Sequence, residues 1–340
     1  MYNLIRRKIL KTILITGGAG YLGLNIALNL ISKNNKVVII DDLKNSYKKN
    51  IDKLLKRFPK QTCFYKGDVC DYSFTKKVFE SHKPELVLHL SAMKYVGESI
   101  KKPKAYEKNN INSLKTILTL SKEFNISRLG FSSSAVVYGN TNNVPATEEF
   151  SFNPLSPYAN TKCECEKIIQ NWNKETSIPI TIFRFSNPVG ANSEYLFGDD
   201  SKKGFENLIP YIVRCALTNK QMVFRGNNHP TPDGTAIRDY LHISDLAEIS
   251  SHILLNSNAV NEVLNISSGK GTSILEILKE TEQLLNKKLE YSFSERSPNE
   301  ASVSVLDITK LKNSYMVSTK HTLSEIIKSQ IDFFNSKNQN

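Results

Sequence analysis

Ser134, Tyr158 and Lys162 are the residues of this chain whose types and spacing point to chemistry. A phenol is a poor base alone, because its free pKa is about 10. In Tyr158-Ala159-Asn160-Thr161-Lys162 a lysine follows at i+4, on the same face of a helix. An ammonium held there favours the phenolate. Ser156 reads as an N-cap and Pro157 as the first helical residue, so Tyr158 sits at the positive end of the helix dipole. A phenolate beside a serine hydroxyl suits proton exchange with an alcohol, the companion step of hydride transfer. The same spacing also occurs on ordinary solvated helix faces; its weight comes from the segment upstream.

That segment is Thr16-Gly17-Gly18-Ala19-Gly20-Tyr21-Leu22-Gly23. It reads as G-x-G-x-x-G from Gly18 and as G-x-x-G-x-x-G from Gly17. Between a strand and a helix, such glycines let the backbone approach a pyrophosphate at the helix N-terminus. Asp41 ends the next apolar run, about 18 residues beyond Gly23, near the spacing of a ribose-binding acid. A carboxylate accepts from ribose hydroxyls and repels a 2′-phosphate, so NAD is expected rather than NADP, and Asp42 adds to the repulsion. The alternative for Asp41 is a solvated loop carboxylate. Asp68 and Val69 end the third run, where the adenine would lie.

The elements that must position these groups alternate. Apolar β-branched runs occur at 12–16, 37–40, 62–65, 86–90, 129–133 and 180–185, with helix-length segments between them. Strands apolar on both faces with helical crossovers predict an α/β fold with a doubly wound parallel sheet. After Gly190 the alternation breaks down, and Asn227 to Gly234 is a loop by its turn residues. A helix near Ser244–Asn256, a strand near Val263–Ile266 and helices near Ile274–Asn286 and Thr322–Phe334 complete the expectation. The predicted division is residues 1–190 for the cofactor and mainly 191–340 for a smaller α/β substrate lobe, with some segments returning to the first domain. The site is expected in the crevice at the carboxyl ends of the strands.

Composition narrows the classes. The 340 residues carry 40% hydrophobic and 23% charged side chains, an ordinary globular balance. The formal charge of +12 is mostly dispersed lysine, densest at Lys48, Lys49, Lys53, Lys56, Arg57 and Lys60, where it reads as a solvated helix face. Aromatic residues do not interleave with it, so no nucleic-acid partner is expected. No apolar run is long enough to span a bilayer, so no membrane partner is expected either. Five cysteines without a C-x-x-C pair point to free thiols in a reducing compartment, and the histidines form no metal-ligand cluster. Residues 1–11 read as a short basic arm.

As a group these motifs resemble the extended short-chain dehydrogenase/reductase superfamily and, within it, the UDP-glucose 4-epimerases. The resemblance runs from about Lys11 to Phe334. TGGAGYLG at 16–23 and Tyr-x-x-x-Lys carry only the superfamily; Lys94-x-Val96-Gly97-Glu98-Ser99 and Asn187-Pro188-Val189-Gly190 are more diagnostic of the epimerases. It implies a Rossmann domain in which Gly17, Gly20 and Gly23 line the pyrophosphate, with backbone amides from Tyr21 and Leu22. Asp41, Asn45 and Ser46 would face the adenosine half, Asp68 and Val69 the adenine, and Leu90, Ser91, Ala92, Lys94 and Asn109 the rest of NAD. Ser134 and Tyr158 would meet the sugar hydroxyl, and Lys162 the nicotinamide ribose. Asn187, Asn207, Leu208 and Arg238 would grip the uridine diphosphate. It also implies a homodimer and a cytoplasmic enzyme that inverts C4 of a UDP-hexose through a transient 4-keto sugar.

Two departures bear on substrate. The C-terminal segment in which the resemblance expects an arginine and an aspartate reads Ser294-Glu295-Arg296-Ser297-Pro298-Asn299-Glu300, leaving Arg296 shifted and Glu300 as its carboxylate. Ser304 falls where a large tyrosine often limits the sugar pocket, which leaves room for an N-acetyl group. Ala135 and Val136 after Ser134 provide no acid–base pair for a 4,6-dehydratase. A UDP-uronate 4-epimerase, a simple alcohol dehydrogenase and a non-catalytic NAD-binding scaffold are the remaining alternatives.

Overall fold

The computed structural model describes residues 11–140, 145–200, 202, 207–256, 260–296 and 301–338. The basic arm before Lys11 and the expected carboxylate Glu300 lie outside the described residues. The first half runs β1 (Thr12–Thr16), α1 (Tyr21–Ser32), β2 (Lys36–Asp41), α2 (Lys48–Arg57), β3 (Thr62–Lys66), α3 (Tyr72–His82), β4 (Leu86–His89), α4 (Val96–Lys101), α5 (Pro103–Glu123), β5 (Arg128–Ser134), α6 (Pro157–Trp172) and β6 (Ile180–Phe185). The second half adds β7 (Asn187–Val189), α7 (Leu208–Leu217), β8 (Met222–Arg225), β9 (Ile237–His242), α8 (Ile243–Leu255), β10 (Glu262–Ile266), β11 (Gly271–Ser273), α9 (Ile274–Leu285), β12 (Tyr291–Ser294), β13 (Val303–Ser304), α10 (Thr309–Tyr315) and α11 (Leu323–Asn338).

The central sheet has seven strands in the order β10-β6-β5-β4-β1-β2-β3, and every neighbouring pair is parallel. Side chains alternate between its faces with period two. Ile13, Ile15, Val37, Ile39, Leu86 and Leu88 pack with α1 and α8. Leu14, Val38, Ile40 and Val87 pack on the other face with α3, α5 and α6. The order in which successive strands join the sheet reverses between β1 and β4, which opens a crevice at their carboxyl ends. Gly17–Gly23, Asp41 and Ser134 all follow or end strands on that edge.

The second half is not a separate block. β10 extends the central sheet beside β6, and α8 packs against α1. The remaining elements form a second core from α7, α9, α11 and β8. Over it, β9 pairs with β7, β11 and β13, and β8 pairs with β12. Strand β9 escapes the periodic reading because it carries Asp239 in its middle. That carboxylate is fully buried and accepts from the backbone N–H groups of Ser268 and Gly269 at 3.1 Å each.

Candidate active site

One cleft of about 370 Å³ lies at the carboxyl edge of the sheet, within the range of small-molecule sites. It brings together Gly17, Gly20, Tyr21, Leu22, Gly23, Asp41, Asn45, Ser46, Leu90, Ser91, Ala92, Lys94, Ser134, Tyr158, Lys162, Asn187 and Asn207. Residues from Gly17 to Asn207 therefore meet in this one cleft.

The glycine turn is shaped for close approach. Gly17 has φ +66°, and a Cβ there would lie 2.8 Å from the Ser91 backbone. A Cβ on Gly23 would lie 2.5 Å from Gly18 Cα. Helix α1 starts at Tyr21 with Gly20 as N-cap, no capping side chain and no acidic residue in its first turn. Its first amides thus face the cleft without an intrahelical acceptor, which fits an anion. Asp41 sits across the turn: its Oδ2 accepts from Ala19 N–H at 3.1 Å, and its Oδ1 from Leu43 N–H at 2.8 Å and Ser46 Oγ at 2.7 Å. Burial raises its pKa, and these bonds oppose the rise. The Tyr21 hydroxyl donates to the Gly190 carbonyl at 2.7 Å, tying α1 to the end of β7.

The three chemical residues converge from two elements. Ser134 ends β5. Tyr158 and Lys162 lie on α6, where Pro157 holds the first position and Ser156 Oγ accepts from Ala159 N–H at 3.2 Å. That is the helix start read from the sequence. The electrostatics differ from the expectation. Burial pushes Tyr158 up to about 12, against a lowering hydrogen bond with Ser134. Burial also pulls Lys162 down to about 8. The Lys162 ammonium donates to the Ser132 carbonyl at 2.6 Å and stands 6.0 Å from the Tyr158 ring centroid. The phenol is neutral in this arrangement, because its desolvation outweighs an ammonium directed at the strand edge.

Seven expected site residues do not border the cleft. Arg238, Arg296 and Ser304 gather in the second lobe around Ser302: Arg296 Nη2 donates to Ser302 Oγ at 2.9 Å, Arg238 Nη1 to Ser302 O at 3.4 Å, and Ser304 pairs with Arg238 across β13 and β9. Leu208 begins α7 directly after Asn207. Asp68 caps its own turn at Cys70 N–H, 2.9 Å, and Val69 is buried. Asn109 Nδ2 donates to Asn110 Oδ1 at 3.1 Å on α5. Sequence reading missed Asp199, which is buried in the cleft wall and accepts from Asn207 Nδ2 at 2.5 Å. Burial raises its pKa, with Lys94 and Asn207 opposing. Its only sequence signal is a Gly-Asp-Asp turn.

A model described as the NAD dependent epimerase/dehydratase family matches residues 13–267. The chain belongs to that family. It is similar to a UDP-glucose 4-epimerase of Yersinia enterocolitica, 37% identical over 85% of this chain and 87% of the relative. Among solved structures, UDP-glucose 4-epimerase from Stenotrophomonas maltophila with bound NAD and formylated UDP-arabinopyranose superposes with TM-score 0.92 at 29% identity, covering 97% of this chain and 99% of that one. UDP-glucose 4-epimerase from Bifidobacterium longum in complex with NAD+ and UDP gives 0.91 at 31%, with the same coverage. The uncapped start of α1, the Cβ-free turn and the acid at the end of β2 fit the dinucleotide that defines this epimerase family. Among the described residues, no helix is long and apolar enough to cross a membrane and no cluster suits a metal.

Proposed function

We propose that this chain is an NAD-dependent epimerase acting at C4 of a UDP-hexose through a transient 4-keto sugar. The observation carrying this reading is that Ser134, Tyr158 and Lys162 share one cleft with the uncapped glycine turn of α1. NAD bound along that turn supplies the hydride acceptor for the first half of the reaction and the hydride donor for the second. Tyr158 takes the 4-hydroxyl proton as the C4–H bond gives up its electron pair, and later returns that proton to the 4-oxygen when hydride comes back to the opposite face of C4. Ser134 shares the hydrogen bond and orients the oxygen. Lys162 supplies the positive charge that offsets the desolvation of the phenol, once its ammonium turns from Ser132 toward the cleft. Between the two halves the sugar must turn over, so the nucleotide is gripped and the hexose is not. Of the residues bordering the cleft, Gly17, Gly20, Gly23, Tyr21, Leu22, Asp41, Asn45, Ser46, Leu90, Ser91, Ala92 and Lys94 are assigned to the cofactor, and Asn187 and Asn207 to UDP; Asp68, Val69 and Asn109 for the cofactor and Leu208, Arg238 and Arg296 for UDP lie off the cleft and rest on the resemblance alone.

The test is incubation of purified protein with UDP-galactose and UDP-N-acetylgalactosamine, product separation, and assay of co-purified dinucleotide. Conversion without net change at the NADH absorbance supports the reading. Steady accumulation of reduced cofactor indicates a dehydrogenase, and bound dinucleotide without any conversion indicates a scaffold. The small Ser304 favours UDP-N-acetylhexosamines as further substrates; Ser304→Tyr is expected to abolish their turnover while sparing the hexose. Turnover of the N-acetyl sugar unchanged by that substitution refutes the assignment. A homodimer through α5 and α6, in the cytoplasm, completes the reading, and light scattering on the purified chain checks the dimer.

A further inference from the structure

A buried ion pair lies one helical turn beyond Lys162. Glu166 is fully buried on α6. Its carboxylate accepts from Arg184 Nε at 3.1 and 3.2 Å and from Nη2 at 2.7 Å, and the Ser133 hydroxyl donates to its Oε1. Arg184, on β6, passes Nη1 to the Tyr138 hydroxyl at 2.8 Å. Tyr138 donates onward to Asn265 Oδ1 on β10 at 2.7 Å. One carboxylate therefore ties α6 to the ends of β5 and β6. A buried pair of this kind adds little stability over well-packed apolar residues, so its place beside the reactive residues calls for another role.

We propose that Glu166 is a positioning residue for the reaction: locked by Arg184, it fixes the Ser133–Ser134 strand end against α6 and sets a negative charge one turn from the Lys162 ammonium. Positions i and i+4 on a helix are neighbours. Burial pulls Lys162 down to about 8, and Cys165 and Glu166 are the groups that oppose this. The Cys165 thiol is itself pushed up to about 11 by burial, so it carries no charge at neutral pH. From β4, His89 is held neutral by burial, down to about 3. From β5 come the Ser132 carbonyl and the Phe131 ring, whose centroid lies 4.9 Å from Nζ. Tyr158, one turn earlier, is neutral. Of these neighbours Glu166 bears the negative charge that opposes the fall at Lys162, and the Arg184 guanidinium from β6 that is bonded to it offsets part of that charge.

The inference rests on the proposed reaction for its purpose, but its test does not need turnover. Protein labelled with 13C at lysine Cε is titrated by NMR, with the Lys162 signal assigned by its loss in Lys162→Met. Glu166→Gln is expected to lower the Lys162 midpoint by about one unit, roughly tenfold in its acid dissociation constant. Tyr138→Phe, which keeps the carboxylate, leaves the midpoint in place. In steady state, Glu166→Gln should move the alkaline limb of kcat to lower pH by the same amount and reduce kcat about tenfold with KM nearly unchanged. Should Glu166→Gln fail to fold, the double variant Glu166→Gln, Arg184→Met removes both charges and should give a smaller shift in the same direction, because the guanidinium lost with it had opposed the carboxylate. An unmoved Lys162 midpoint overturns the inference, as does a loss confined to thermal stability. A shifted midpoint in a protein without epimerase activity overturns the proposed reaction and leaves the charge assignment standing.

Discussion

Lys162 Nζ donates to the Ser132 carbonyl at 2.6 Å, so its ammonium is anchored to the edge of β5 and not to the phenol of Tyr158. The pair the sequence places on one helix face thus divides its labour. Tyr158 faces Ser134, while Lys162 is stored on the strand within reach of the cleft. Tyr158→Phe keeps the ring and removes the proton carrier. Epimerisation should fall by about 10²–10⁴ in kcat, with the melting temperature nearly unchanged. Retention of more than a tenth of wild-type kcat would remove Tyr158 from the chemistry.

Lys162 also carries a signature in stability. Its pKa falls from 10.5 in the free side chain to about 8 in the fold, through burial. Between those values the unfolded chain binds more protons than the native one, so stability rises with pH across that window. Below pH 8 the buried charge costs about 3 kcal/mol. Lys162→Met should therefore raise the melting temperature at pH 7 while abolishing turnover. A lower melting temperature would mean that the ammonium is compensated by its surroundings.

The glycine turn offers a paired experiment. A Cβ at Gly20 meets one atom within 4 Å, the Gly17 carbonyl oxygen at 3.2 Å, whereas a Cβ at Gly23 strikes Gly18 at 2.5 Å. Gly20→Ala should fold normally but bind NAD at least tenfold more weakly, because the new methyl borders the cleft. Gly23→Ala should lose both stability and binding. Calorimetric titration with NAD alongside thermal melts separates the two; equal NAD affinity in Gly20→Ala and wild type would contradict the close-approach reading of the turn.

Acid should unfold the protein steeply. Burial pulls His89 to about 3 and His242 to about 4, from 6.5. Both are neutral when folded and take up protons on unfolding, so stability falls as pH drops from 6.5 toward 4, by up to about 2.7 kcal/mol per pH unit for two protons. His321 acts in the opposite sense. Its hydrogen bond to Asp245 raises its pKa, so that its contribution is present below 6.5 and lost as pH rises through the folded value. Urea midpoints at pH 6.5 and 5 should differ in wild type and differ less in His242→Gln. Equal pH dependence in the two proteins would contradict the assignment.

The central sheet was legible because its strands are unbroken apolar runs. Thr12–Thr16 and Ile180–Phe185 match their sequence-derived bounds, and the Ser156-Pro157 start of α6 follows from local chemistry alone. Helix α1 begins three residues before the Leu24 expected from the sequence, because Gly20 serves as N-cap. The second lobe was less legible. Its strands β7, β11 and β13 have three residues or fewer, too short for periodicity, and β9 hides behind Arg238 and the buried Asp239. Asp199 and Glu166 escaped notice for a common reason: a charged residue in a polar stretch reads as solvated until tertiary contacts bury it.

The Tyr21 bond to Gly190 has a partner in the next residue, since Ala191 N–H donates to Ser329 Oγ on α11 at 3.1 Å. The dinucleotide cradle, built from β1 and α1, is thereby latched through the β7 end to α11. During synthesis the cradle emerges from the ribosome long before α11 does. A nascent chain lacks that brace until α11 has emerged, and firm retention of the coenzyme waits on that helix.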